Sequence, residues 1–480
     1  MTDNKIKKVS YYLLPSLVSA IVPIITLPIF SRKLTVEQYG VYALCVAFGT
    51  FISGLANMGL TTGYERNYFE QKNNELHGKL LYSVVLFVTA TCFIFGGGIF
   101  LFKRNISYWI SGSYEYGTSF ILGYFAVSIS TIKQYFLLYL KNTGNAKSFA
   151  WFSIDEVILN MLLSIFLVLY VEMGIDGLLL GQFIGALSVT ILLIFRLKKI
   201  LPFGLSKMLM RNCFAISLPL TPRIFFGVIG TQFDKYLISL LGTLGGVGLY
   251  NLGQKIAYVV FNYMTALQNV YSPTVYKMMF EKGDDANGKI GKYLTLPFFF
   301  SALGGLVLAL FSEEIIIILT PSSYHNAIDI VSILSLMYVL FFFGKQPQLV
   351  YAKKTSIIST LSLISILINI LINIPLVKMF GGVGAAYGSL ISAFISGLII
   401  LFVSQKYFSI MWEWKKIIFC LITIFSFTFL NILFRSIGYE WELRIFYKLI
   451  AILIYLLGGF YFSIITKVMI FSKMSFKSAK

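Results

Sequence analysis

The sequence predicts an all-α polytopic membrane protein of about fourteen transmembrane helices. They form two parallel six-helix repeats around a central cavity, followed by two extra C-terminal helices. Three observations predict this. The chain is 58% hydrophobic and only 12% charged, a composition foreign to soluble domains. Its apolar residues fall into runs of about 20, the length that crosses a hydrocarbon core. Two glycine patterns recur at nearly one spacing, as a duplication requires. Lipid makes each backbone satisfy its own hydrogen bonds, and β-barrel alternation is absent, so the spans are helices.

The expected spans are residues 10–31, 38–61, 79–102, 117–140, 148–171, 175–196, 212–241, 244–271, 292–312, 326–345, 355–377, 382–404, 415–435 and 445–467. The links are too short to fold as separate domains. The first run, 11–30, is full length and lacks a small-residue cleavage motif, so it stays as a span. Placing the N-terminus in the cytoplasm puts most of the 39 Lys and Arg on that side: Lys5, Lys7 and Lys8, the RLKK run at 196–199, Lys415 and Lys416, and the tail. Both termini are therefore expected in the cytoplasm. The net charge of +19 reads as this topology signal. It forms no single patch, and nucleic acid is not an expected partner. Cys45, Cys92, Cys213 and Cys420 lie in or beside apolar runs without metal or disulfide spacing, and read as small core residues.

The repeat rests on two patterns. Gly40-Val-Tyr-Ala-Leu44 recurs as Gly248-Leu-Tyr-Asn-Leu252, and the run GIDGLLLG from Gly174 recurs as GGVGAAYG from Gly381. The offsets are 208 and 207 residues, which separate copies of a six-span unit. Six is even, so both copies enter from the same side, and a cavity is expected between the halves. The division is 1–200 and 201–405 for the two bundles, and 406–480 for the additional helices and a basic cytoplasmic tail.

Leu27-Pro28 with Arg32, then Gln38-Tyr39-Gly40, resemble the start of polysaccharide-export membrane proteins. Ser217-Leu218-Pro219, Asp234-Lys235-Tyr236 and Val247-Gly248-Leu249-Tyr250 resemble the start of their second half, and Ala385 and Ala386 in the closing glycine pattern match as well. Over about residues 10–405 the chain resembles the O-antigen flippase (Wzx-type) proteins of the multidrug/oligosaccharidyl-lipid/polysaccharide exporter superfamily. Many of these have twelve spans, where this chain has fourteen. The resemblance implies a MATE-like fold in the bacterial cytoplasmic membrane, no enzymatic reaction and no cofactor. It implies a polyprenyl-diphosphate-linked oligosaccharide as substrate, with membrane lipids, a polysaccharide polymerase and chain-length proteins as partners. A peptidoglycan-precursor flippase fits fourteen spans too. A multidrug exporter would favour carboxylates over the cations seen here. A polysaccharide polymerase would need larger outer loops.

Residues 217–262 concentrate charge at membrane depth, where it must pair, snorkel or line water. The seventh span is about 45 Å long at 1.5 Å per residue, and Pro219 and Pro222 are expected to bend it. Arg223 lies near mid-depth, as a substrate contact or a structural ion pair. Asp234 returns to nearly the same face three turns on, either paired with Lys235, capping a neighbour, or serving coupling. Asn251, Lys255, Tyr258 and Asn262 make one polar stripe on the eighth span, toward substrate or toward a neighbouring helix. Arg66 and Arg32 are further substrate-contact candidates, with interfacial anchoring as the alternative. Lys133 faces Asp155 and Glu156 at similar depth, as an ion pair within one hairpin or as a proton- or cation-sensing site. Glu313 and Glu314 are expected to be solvated, and His77 and His325 to be surface residues without metal partners. GGVGAAYG lacks the Lys-Ser/Thr of a phosphate-binding loop and reads as close helix packing.

Overall fold

Long apolar runs with local caps produce helices throughout the computed structural model, which describes residues 2–71, 73–344 and 347–465. The order is α1 (Thr2–Lys33), α2 (Val36–Asn57), α3 (Leu60–Tyr68), α4 (Asn74–Ser111), α5 (Gly117–Asn142), α6 (Ala146–Leu169), α7 (Gly174–Lys198), α8 (Lys207–Leu241), α9 (Leu244–Lys282), α10 (Asn287–Leu310), α11 (Ser312–Leu319), α12 (Ile328–Gly344), α13 (Pro347–Tyr351), α14 (Thr355–Gln405), α15 (Trp414–Ile437) and α16 (Trp441–Tyr461). No strand occurs among the described residues.

Among the described residues, eleven helical segments are long and apolar enough to cross a membrane. One of them, in α14, is two limbs joined at Gly381, whose φ of 57° and ψ of −132° are not helical. The charge-bearing α8 and α9 are 35 and 39 residues long. With those, each of the fourteen expected spans has its helix. α8 stays helical through Pro219 and Pro222.

Local chemistry sets the ends. Thr35 and Gln38 form a reciprocal capping box at the start of α2, which satisfies two otherwise orphaned amides. Asn73, Asn145 and Ser206 cap α4, α6 and α8 through their side-chain oxygens. Between α2 and α3 the chain turns through two consecutive left-handed residues, Met58 (φ 47°) and Gly59 (φ 67°). The Thr221 hydroxyl of α8 donates to the freed Met58 carbonyl at 3.0 Å, so the break leaves no orphan acceptor there.

The chain divides into two compact units, Met1–Asn251 with Leu319–Tyr324, and Leu252–Ile318 with His325–Lys480. In the first, the starts of α2 and α9 cross with their backbones touching. A Cβ on Gly40 would collide with the Leu244 carbonyl oxygen, and one on Gly248 with the Val36 carbonyl oxygen. Val36 and Leu244 stand 208 residues apart, as do Gly40 and Gly248. The contact is thus reciprocal between the two copies of the repeat, which is the signature of a twofold-related pair.

The second glycine pattern organises a hairpin in each unit. Gly174 opens α7 with φ 55°, and Gly381 joins the α14 limbs with φ 57°, both in the left-handed region that favours glycine. Gly181 then packs against Ser164, and Gly388 against Asn373, with no room for a Cβ at either. The four cysteines are free and buried.

Candidate substrate-contact residues

In the first unit, Asp234 is buried and accepts a hydrogen bond from the Tyr250 hydroxyl at 2.6 Å. This joins two of the motif segments that carry the family resemblance, DKY on α8 and VGLY on α9. Lys235, also buried, donates to Gln232 at 3.2 Å. Tyr42, the repeat counterpart of Tyr250, accepts from Gln182 at 2.8 Å. Each copy of the glycine-tyrosine motif thus places a buried phenol in a hydrogen bond, with different partners. The Arg223 side chain lies outside the described residues.

Lys133 on α5 forms an ion pair with Glu156 on α6, and both are largely buried. Ser130 donates to the same carboxylate at 3.4 Å. Asp155, half-buried, forms no ion pair among the described residues. Asn160, one turn along α6, points its carboxamide oxygen at Gly185 of α7, where a side chain would not fit. This pair neutralises two charges that an apolar bundle could not hold singly.

The basic residues near the helix ends are exposed. Arg66 pairs with Glu70 at 2.7 Å within one stretch of chain, Glu65 with Lys141 at 3.4 Å, and Arg32 donates to the Pro28 carbonyl at 3.0 Å. Such partners leave the guanidinium groups accessible. His77 is half-buried, and its ring packs at a tilt against Tyr68 with ring centres 4.3 Å apart. No group of residues able to hold a metal occurs among those described.

The α9 stripe grades from buried to exposed. Asn251, at its start, is buried, and its carboxamide nitrogen has no partner among the described residues. Further along α9, in the second unit, Lys255 is half-buried while Tyr258 and Asn262 are exposed. The Tyr258 ring stacks on Phe261 at 4.9 Å and meets Tyr338 edge-on at 5.7 Å, so its orientation is held by packing.

Glu313 and Glu314 correct one expectation. They are not solvated. Arg444 of α16 donates to both oxygens of Glu313 at 2.6 and 2.7 Å. Lys448, fully buried, holds Glu314 at 2.6 Å and lies 3.5 Å from Glu313. The two carboxylates exchange water for two cations one helical turn apart on the same face of α16. That i, i+4 pair of cations within an apolar run is a sequence signal for buried charge on α16, but not for which carboxylates it meets. Arg435 on α15 makes a further pair with Asp329 on α12 at 2.5 Å.

These features define a class first: a polytopic helical membrane protein built on a duplicated unit. The chain matches the polysaccharide biosynthesis protein family over residues 6–279 and belongs to that family. Among solved structures, the lipid II flippase MurJ in an inward closed conformation superimposes with a TM-score of 0.73 at 15% identity, covering 94% of this chain and 98% of that one. A multidrug resistance MATE family transporter of the MOP superfamily matches in its inward-facing form with TM-score 0.57 at 13% identity, over 82% of this chain and 94% of that one. An outward-facing multidrug resistance MATE family transporter of the MOP superfamily gives 0.51 at 14%, over 82% and 93%. These likenesses establish a MATE-like fold. No curated protein matches the sequence.

Proposed function

We propose that the protein is a flippase that moves a polyprenyl-diphosphate-linked oligosaccharide, such as an O-antigen repeat unit, across the bacterial cytoplasmic membrane. The observation that carries this is the α9 stripe, Asn251, Lys255, Tyr258 and Asn262, on a transporter fold of a polysaccharide-synthesis family. A diphosphate cannot cross hydrocarbon bare. Lys255 and Arg223 would replace its water by charge-assisted hydrogen bonds, and Tyr258 and the asparagines suit sugar hydroxyls. Arg66 and Arg32 would meet the anionic headgroup at the two surfaces. The polyprenyl tail would stay in lipid. Both termini would face the cytoplasm, and the halves would alternate between inward- and outward-open states. Asp234 and the Lys133–Glu156 pair, with Asp155 beside it, are the candidates for ion coupling. A peptidoglycan-precursor flippase is the second reading, favoured by the near-complete overlap with the lipid II flippase fold.

The test is export of surface polysaccharide in cells carrying Arg223→Ala or Lys255→Ala. Both variants should reach the membrane at normal levels and lose export. Normal export in both would defeat the cationic-contact assignment, and rescue of peptidoglycan synthesis by the wild-type chain would favour the second reading.

A further inference from the structure

In the first unit, α4 carries no charge from Leu80 to Phe102, and those 23 residues span about 34 Å, enough for a hydrocarbon core of ~30 Å. Lys103 and Arg104 end the run. A Cβ on Gly117, which opens α5, would lie 3.1 Å from the Lys103 carbonyl oxygen. The start of α5 is therefore level with Lys103, and the last two turns of α4 stand beyond it. The chain turns back at Gly112 (φ 73°). Ser107 donates to the Ser113 carbonyl at 2.5 Å, and Ser239 of α8 donates to the Ile110 carbonyl at 2.5 Å. The spur is thus held on one side and bare on the other. Tyr108 and Tyr114, both exposed, stack with ring centres 4.6 Å apart and planes 10° from parallel, and Trp109 is 72% exposed. The Arg104 guanidinium lies 5.9 Å from the centre of the Tyr114 ring, and the Lys103 ammonium 5.1 Å from that of Phe100. Neither cationic side chain forms an ion pair or a hydrogen bond among the described residues, and Glu115, the one acid on the spur, pairs with neither.

We propose that this corner holds the headgroup of an anionic phospholipid, with its phosphodiester on Arg104 and Lys103. Depth selects the ligand. The headgroup layer is about 5–8 Å thick on each side of the core. Trp109, six residues past Lys103, lies ~9 Å further along the helix axis. The rings therefore stand among headgroups, where amphipathic aromatics collect. Charge selects within that layer. A guanidinium resting on a ring keeps its in-plane N–H donors free, and without a carboxylate partner it can meet two phosphate oxygens at once. The Lys103 stem packs along Gly117 while its ammonium reaches outward. A zwitterionic headgroup would bring its own ammonium against these two cations. A glycerol headgroup brings hydroxyls instead, which the Tyr108 and Tyr114 hydroxyls can meet. Phe100, Leu101 and Phe102 are exposed on the hydrocarbon side of the cations, where acyl chains would cover them and a soluble phosphate would not. The site takes bilayer lipid, not cargo, and stands apart from the flippase reading.

The test measures occupancy at the spur. Asn105, exposed beside Arg104, would be changed to cysteine in the full chain and labelled with a small neutral maleimide; the native cysteines are buried. The protein would sit in nanodiscs of phosphatidylcholine alone, or of phosphatidylcholine and phosphatidylglycerol in equal parts. An anionic surface by itself slows any thiolate reaction about threefold. With Arg104 and Lys103 in place, phosphatidylglycerol should slow labelling by roughly a further threefold to tenfold, the value of one or two cations at the surface. Arg104→Gln with Lys103→Gln should remove that further factor. Arg104→Lys, which keeps the charge without the fork, should fall between. Inorganic phosphate at tens of millimolar, added to the phosphatidylcholine nanodiscs, should leave the rate unchanged. Glu115→Cys, on the return turn, should show the same ratios and guards against a misfolded first variant. Equal slowing with and without the two cations at both cysteines, or protection by inorganic phosphate equal to that by phosphatidylglycerol, would overturn the proposal.

Discussion

Replacing Gly40 or Gly248 by alanine should separate α2 from α9, and the two substitutions should act as one. On Gly40 the added Cβ would lie far inside 3.0 Å of the Leu244 carbonyl oxygen and 3.0 Å from the Gly248 nitrogen. On Gly248 it would meet the Val36 carbonyl oxygen and lie 3.1 Å from the Gly40 nitrogen. All these obstacles are backbone, so no rotamer change relieves them, and the helices must part by on the order of 1 Å, which forfeits a quarter to a half of the attraction between facing atoms. Each single variant should cost about 1–3 kcal/mol. Once the helices have parted for one methyl, the second finds room. The double variant should therefore cost less than the sum, with a coupling of about 0.5–3 kcal/mol. Unfolding of purified protein in detergent, followed for the wild type, both singles and the double, completes the cycle. Strictly additive losses, or one single variant as stable as the wild type, would refute the reciprocal contact and with it the twofold reading of the repeat.

Two further predictions concern buried charge. Glu156→Gln strands Lys133, which is 4% exposed, and should destabilise the protein by about 3–5 kcal/mol, whereas Lys133→Met combined with Glu156→Leu should be close to neutral; thermal unfolding of the three variants compares them. Lys448→Met should cost a similar ~3–5 kcal/mol by leaving the carboxylate of Glu314 unpaired, and adding Glu314→Leu should restore most of the loss. Detergent-stable yield on size exclusion reads both, and a single variant as stable as its double would contradict the pairings.

The spans were legible because hydropathy and caps are local. Thr35 with Gln38, Asn73 and Ser206 mark helix starts within a few residues of the apolar runs they precede. The repeat was legible because its glycines are the places where backbones touch or turn left-handed, at Gly40, Gly248, Gly174 and Gly381. Partners across helices were not. Periodicity told that Asp234 sits on a face with charge, but not that Tyr250 lies opposite. Glu313 and Glu314 ended a span, and nothing local revealed that Arg444 and Lys448, some 130 residues on, bury them. The paired left-handed residues at Met58 and Gly59 were equally silent, since an Met-Gly pair inside an apolar run reads as continuing helix.

The most direct test is transbilayer movement in proteoliposomes containing only this chain and a polyprenyl-diphosphate disaccharide, with the sugar on one leaflet detected by a membrane-impermeant lectin. The wild type should move the lipid to the opposite leaflet, and Lys255→Ala should slow the movement roughly tenfold to a hundredfold, the value of a charge-assisted hydrogen bond. Movement no faster than in protein-free vesicles would contradict the flippase assignment.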